Sequence, residues 1–160
     1  PSRASQIRCH LSVQQSLEFR AETLLAQQRR RLEKVESLRG LELWRDEMVE
    51  RNALRDGAYG CPLGSIANEI ADHHEDTRRI IATHFDEWLQ MLIDAIDRLR
   101  TIGILRADAD SRALASGLLA ALQGGYLLAK TARDVNLMRV ALDMAIAQVR
   151  AFSVESNSQN

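Results

Sequence analysis

The run "GAYGCPLGSIANEIADH" at 57–73 gathers Gly57, Gly60 and Gly64 around Cys61 and Pro62. A cysteine just ahead of a helix is one arrangement that yields a reactive thiolate, because the helix N-terminus favours negative charge. A nucleophile of that kind also needs a histidine within hydrogen-bond reach. His10, His73, His74 and His84 are present, but no spacing ties any of them to Cys61. The same residues also suit a sharp corner. Pro62 and the glycines shape the turn, Ser65 caps the helix that follows, and Cys61 serves as a small apolar plug.

Two further groups have the composition of a site. "DHHED" at 72–76 has the residue types of a metal cluster, with His84 ten residues on. Zinc ligands sit on one face or a tight knuckle, whereas adjacent His73 and His74 point apart. Acidic residues just before a helix also complement its dipole. His84 and Trp88 lie one helical turn apart with Phe85 beside them. That grouping reads either as a satisfied core histidine or as a polar handle in an apolar pocket, with Trp44, Met48, Tyr59, Gln123 and Tyr126 lining the same space. No nucleotide loop, Ser-His-Asp grouping or paired-carboxylate signature is present. No catalytic residue, metal ligand or cofactor is assigned, and the chain is not read as an enzyme.

The elements that must position these residues are helical. At 160 residues the chain has the size of one domain. Its 46% apolar content is enough to build a core and excludes a disordered chain. Ala, Leu, Arg, Glu and Gln dominate, prolines number two, and β-branched residues form no alternating run. The expectation is an all-α bundle of about six helices, at roughly 12–38, 41–54, 65–73, 76–102, 111–132 and 135–152. Gly40 is placed as the C-cap of the first helix and Gly103 as the stop of the fourth. Asp108 or Asp110 caps the fifth. The fourth helix carries the widest stripe, from Ile81 through Trp88 and Leu92 to Leu99, as expected of a central helix touched on several sides. The tail 153–160, "SVESNSQN", is polar and expected to fray.

The fifth helix has a ridge of small residues at helical spacing: Ala113, Gly117, Ala120, Ala121, Gly124 and Gly125. A mid-helix glycine costs roughly 0.5–1 kcal/mol relative to alanine, a cost that a close-packed partner helix recovers. That partner is either the sixth helix of the same chain or a second copy. Leu137, Val140, Ala141 and Met144 on the sixth helix offer another apolar face, so the two helices together suit a four-helix dimer seam.

Formal net charge is −1, without the basic excess of a chain whose main task is holding DNA. Residues 1–39 carry eight Arg or Lys against four Glu, which gives +4 there and about −5 in the remainder. This basic end reads as a solvated helix face or as a surface lying beside nucleic acid. Two cysteines without a CxxC pair or disulfide framework, and no signal peptide, predict a cytoplasmic chain. No run approaches the ~18 apolar residues of a membrane span. The first residue is Pro1 rather than Met, which predicts a trimmed chain with something missing upstream.

Three pieces occur in a telling order: "GCPLGSIANEI" at 60–70, "THFDEWLQMLIDAI" at 83–96 and "LLAALQGGYLLAKTARD" at 118–134. Together they resemble the C-terminal ligand-binding and dimerisation region of TetR-type transcriptional repressors, in the branch typified by the lincomycin-resistance regulator, over residues 17–152. "SQIRCHLSVQQSL" at 5–17 is similar to the end of a recognition helix running into the next helix. Residues 1–16 are then a remnant of a helix-turn-helix headpiece largely absent from this chain. His10 and Leu17 match that pattern, while Gln14 and Leu11 depart from it.

The resemblance implies a homodimer that releases operator DNA when a small apolar effector binds. It implies an effector pocket framed by the first four helices at Trp44, Met48, Tyr59, Phe85, Trp88, Leu89, Leu92, Gln123 and Tyr126. It implies dimer contacts at Gly117, Ala121, Gly124, Leu128, Leu137, Val140, Ala141 and Met144. The competing expectation is a helical protein-interaction module with no small ligand, docking an acidic partner on the basic face of the first helix. A third, an enzyme using Cys61, requires the missing histidine contact.

Overall fold

In a computed structural model of the chain the described residues are 3–54, 60–70 and 74–154, with side chains described from residue 15 onward apart from 68–70. Among them are six helices and no strand: α1 Arg3–Leu32, α2 Leu38–Ala53, α3 Pro62–Ile70, α4 Glu75–Thr101, α5 Ser111–Ala132 and α6 Asn136–Arg150. This is the all-α bundle expected from the sequence.

The core forms around α4. Its stripe buries Ile81, Trp88, Leu92, Ala95, Ile96 and Leu99, and α1, α3 and α5 all pack on it. Trp88 is fully buried and is among the largest such side chains. At 1.5 Å per residue its 27 residues span about 40 Å, enough to back the whole bundle. Gly103 ends α4 at φ +80, donating to the Arg100 carbonyl while Ile104 donates to Leu99. This is the Schellman stop, which glycine enters without a Cβ penalty. Asp110, not Asp108, caps α5 by accepting from the Ala113 N–H; Asp108 instead pairs with Arg106.

Several boundaries differ from expectation, the first being the start of α1, at Arg3 rather than near residue 12. α1 ends at Leu32, six residues early, because Arg98 of α4 donates to the carbonyls of Leu32 and Val35 and satisfies the freed end. Gly40 is therefore not a C-cap. It sits in the first turn of α2, where Ser37 is the N-cap and accepts from the Gly40 N–H at 3.0 Å. Likewise α3 starts at Pro62, not Ser65. The Cys61 carbonyl accepts from the Ser65 N–H, so Cys61 takes the cap position and Pro62 the first helical one, where its missing N–H costs nothing. Of the corner expected at 57–64, residues 57–59 lie outside the described residues and 60–64 form the turn into α3; the role given to Ser65 does not hold.

α5 and α6 form the most extensive helix pair. A Cβ on Gly125 would come within 3.0 Å of Met138 Cα and Cγ, so this glycine is what lets the two helices approach. Gly117 and Gly124 meet nothing within 4 Å. The small-residue ridge is thus divided: Gly125 serves α6 of the same chain, Gly117 faces outward, and exposed Gly124 lies at the edge of a cavity described below. α2 closes the bundle against α6, through Arg45 with Asp143, Asp46 with Arg139, and Glu42 with Arg150. Ser153 is buried and bridges antiparallel to Leu105, so the polar tail does not fray at its start; residues 155–160 lie outside the described residues.

Gly125→Ala is expected to destabilise the fold by about 1–3 kcal/mol, since backbone and not a flexible side-chain end blocks the added methyl. Urea unfolding checks this, and a wild-type midpoint would show that the α5–α6 approach is not limiting.

Candidate functional site

The corner at 60–65 brings the start of α3 against α5. Together with Phe85 of α4 these elements enclose a cavity of about 470 Å³, lined by Cys61, Gly64, Ala67, Gln123, Tyr126 and Lys130 among others. A second cavity of about 270 Å³ lies between α1, α2 and α5, with Phe19, Leu24, Gln28, Met48, Asn52 and Tyr126 in its walls. Gly60 and Tyr126 line both. Spaces of this combined size fall within the range of small-molecule sites.

Several polar groups are buried here at a cost that needs an explanation. Gln28 is 1% exposed; it accepts from Trp44 Nε1 at 3.0 Å and donates to Met48 Sδ. Asn52 is fully buried, with Nδ2 donating to Met138 Sδ and Oδ1 without a partner. Gln123 Nε2 is buried and unpartnered as well. Its Oε1 lies only 2.8 Å from where a Cβ on Gly64 would stand, so Gly64 is the space into which that side chain folds. Sulfur is a weak acceptor, and unsatisfied amides in a core cost about 1–3 kcal/mol each. Such groups are retained where a ligand or water completes them.

The electrostatics bear on two groups in the cavity wall. Burial pushes the Cys61 thiol above its ordinary value, against the N–H groups of Gly64 and Leu63 and the Gln123 side chain, which pull the other way. The helix N-terminus therefore does not make a thiolate at neutral pH. Burial, with the Cys61 sulfur beside it, pushes the Tyr126 hydroxyl up to about 12, so it is a neutral donor. Its nearest acceptor is Met48 Sδ at 3.9 Å. Among the described residues no three His, Cys, Asp or Glu side chains are grouped to hold a metal ion. His74 and Glu75 of "DHHED" are described; Glu75 sits in the first turn of α4, where Arg78 and Arg79 hold its carboxyl at about 2. Asp72 and His73 lie outside the described residues.

The nine expected pocket residues do not gather about one space. Phe85, Gln123 and Tyr126 line the larger cavity, and Met48 and Tyr126 the smaller. Trp44 borders a separate groove with Arg30, Arg31, Lys34 and Glu47. Trp88, Leu89 and Leu92 line none of these. Trp88 and Leu92 are fully buried and Leu89 packs partly buried against the core, so truncating Trp88 removes core rather than wall. Tyr59 lies outside the described residues. A frame of the first four helices is corrected in one respect: α5 supplies Gln123, Gly124, Tyr126, Leu127 and Lys130, and among the described residues none of α1 or α2 lines the larger cavity.

Cys61, Gly64, Ala67 and Lys130 were not expected as lining residues, nor were Gln28 and Asn52. The last two carry a legible signal, a polar residue on the apolar stripe: Gln28 four residues before Leu32, and Asn52 four after Met48. Of the expected dimer residues, Leu128, Val140 and Met144 are exposed, Met144 at 71%. Gly117 and Gly124 are exposed on the same helix pair, and Ala121, Leu137 and Ala141 are half-buried.

In a Cys9→Ser background, the reaction of Cys61 with a neutral disulfide reagent is expected to be at least about tenfold slower than in the urea-unfolded chain. Its rate should still be climbing as pH passes 9.0, the ordinary thiol value. A plateau below pH 8 would instead mark a sensor thiolate.

A family model described as "Tetracyclin repressor-like, C-terminal domain" matches residues 38–145. No curated protein and no solved structure matches the chain.

Proposed function

The chain belongs to the tetracyclin repressor-like C-terminal domain family, and from that premise we propose that residues 17–152 are the effector-sensing and dimerising region of a TetR-type transcriptional regulator. The supporting observation is the pair of adjoining cavities at Tyr126, with buried amides left unsatisfied in their walls. A docking module without a small ligand has no use for such space. The enzyme reading loses its support with the neutral, buried Cys61.

The smaller cavity suggests how sensing reaches DNA. Phe19, Arg20, Thr23, Leu24, Gln27 and Gln28 of α1 form one wall. A molecule seated there bears on the helix that, in this reading, follows the DNA-binding headpiece, with residues 1–16 as that headpiece's end. It shifts the population away from the DNA-competent state by its difference in affinity for the two states. The placement within the lincomycin-regulator branch and a cytoplasmic location belong to the same proposal, as does release from operator DNA by a small, largely apolar effector.

The dimer is assigned to α5 and α6. Leu128, Val140 and Met144 are exposed apolar side chains, and Gly117 and Gly124 leave room for close approach. Two such helix pairs form a four-helix seam with two-fold symmetry. No helix among the described residues is long and apolar enough to cross a membrane.

Two expected outcomes follow from this assignment. The neutral fluorophore N-phenyl-1-naphthylamine should bind the wild-type chain, and Ala67→Phe, which fills the larger cavity, should weaken its binding at least about tenfold with helix content kept. Undiminished binding would place the probe elsewhere. Val140→Glu with Met144→Glu should convert a dimer to a monomer in sedimentation, with probe binding retained; a dimer that survives both charges is not held by this face.

A further inference from the structure

The two cavities differ from a purely apolar site in the sign of their charges. Among the described residues, no Asp or Glu lines either one, while Lys130 borders the larger and Arg20 and Arg51 the smaller. This is a local bias, because the whole chain is slightly acidic. Arg51 already donates to Gln27. Lys130 makes no hydrogen bond or ion pair among the described residues. Its stem crosses the corner at Gly60, with Cδ 3.6 Å and Nζ 3.8 Å from where a Cβ there would lie. These are ordinary van der Waals distances, and they set the ammonium beside the cavity at Gly60.

Gln123 stands seven residues before Lys130 on α5, two helical turns away on the same face. Its oxygen is turned to Gly64, and its buried Nε2 has the weak Cys61 thiol beside it but no well-formed hydrogen bond. Among the described residues, an exposed ammonium with no counter-ion and a buried amide donor with only the Cys61 thiol beside it share one cavity, and one ligand group would suit both. An ammonium group would be repelled, and a hydrocarbon would leave Gln123 unsatisfied. A carboxylate meets both, by charge-assisted hydrogen bonds shielded from water on one side.

We infer that the effector is an amphiphilic organic acid, its carboxylate on Lys130 and Gln123 and its apolar body running past Phe85 and Tyr126 toward Leu24 and Met48. The inference rests on the sensing reading and sharpens it, from an apolar molecule to one with an anionic head. Neutral Tyr126, shared by both cavities, is the passage between them. Fully buried Asn52, with Oδ1 free, marks the far end and accepts a hydrogen bond from a hydroxyl or amide on the body where one is present.

The test uses three molecules with one body and different heads: decanoate, decanol and decylamine, titrated calorimetrically into the full chain at neutral pH below their aggregation limits. Decanoate should bind about tenfold or more tighter than either of the others. Lys130→Gln should abolish that preference and leave decanol unchanged. Lys130→Arg should keep the preference, and Arg133→Gln, at the same helix end but outside the cavity lining, should not alter it. Equal affinities for all three overturn the acid inference and leave the sensing reading standing. Tighter binding of decylamine does the same. A decanoate preference that survives Lys130→Gln overturns the assignment of the head to Lys130. No binding by any of the three removes both the inference and the cavity reading on which it rests.

Discussion

A Cβ cannot be placed on Gly125 without striking Met138 of α6, and much of the remaining geometry depends on that contact. With α6 drawn onto this side of α5, the residues just before and after Gly125 are turned away from it. Gln123, Tyr126 and Lys130 then face the corner before α3, where the larger cavity forms. Met138 itself, fully buried, accepts from Asn52 of α2 and so joins the helix pair to the wall of the smaller cavity. One missing methyl group sets both the close packing of α5 on α6 and the direction in which α5 presents its polar residues.

The second constraint is the shortage of good acceptors in the interior. Gln28, Asn52 and Tyr126 all spend donors on methionine sulfur, at 3.4, 3.5 and 3.9 Å. These are weak bonds, and stability alone would be served better by apolar residues of similar size. The burial of such groups around open space, rather than within tight packing, is the feature that a sensor requires and a docking module does not. The salt bridges between α2 and α6 lie at the edge of the bundle, partly exposed to water that screens them.

Cys61 illustrates how burial outweighs a favourable dipole. The N–H groups at the start of α3 point to its sulfur, yet removal from water dominates and the thiol stays protonated. The corner residues serve the site by geometry. The Lys130 stem passes beside Gly60, Gly64 receives the Gln123 amide, and Pro62 starts α3 without an unsatisfied N–H.

Periodicity and local end signals carried the number of helices, the central place of α4 and the Gly103 stop, and narrowed the α5 cap to Asp108 or Asp110, because these depend on residues within a turn or two of each other. The apolar stripe also identified Trp88 and Leu92 as inward-facing, and the family resemblance was legible from three local segments. What faces inward, however, does not distinguish a core residue from a cavity wall; that depends on whether a partner helix arrives to fill the space. Trp88 met such partners, while Gln123, Tyr126 and Met48 did not. The end of α1 was decided by Arg98, 66 residues away, and so was invisible to local capping rules. The division of the glycine ridge between α6 and the open face was likewise set by helix docking, since spacing along α5 is the same whichever neighbour each glycine meets. The sequence by itself determined which residues could be buried and the number and order of the helices; the tertiary structure decided where buried residues touch and where they leave room, because contact is a property of pairs of helices and not of either one.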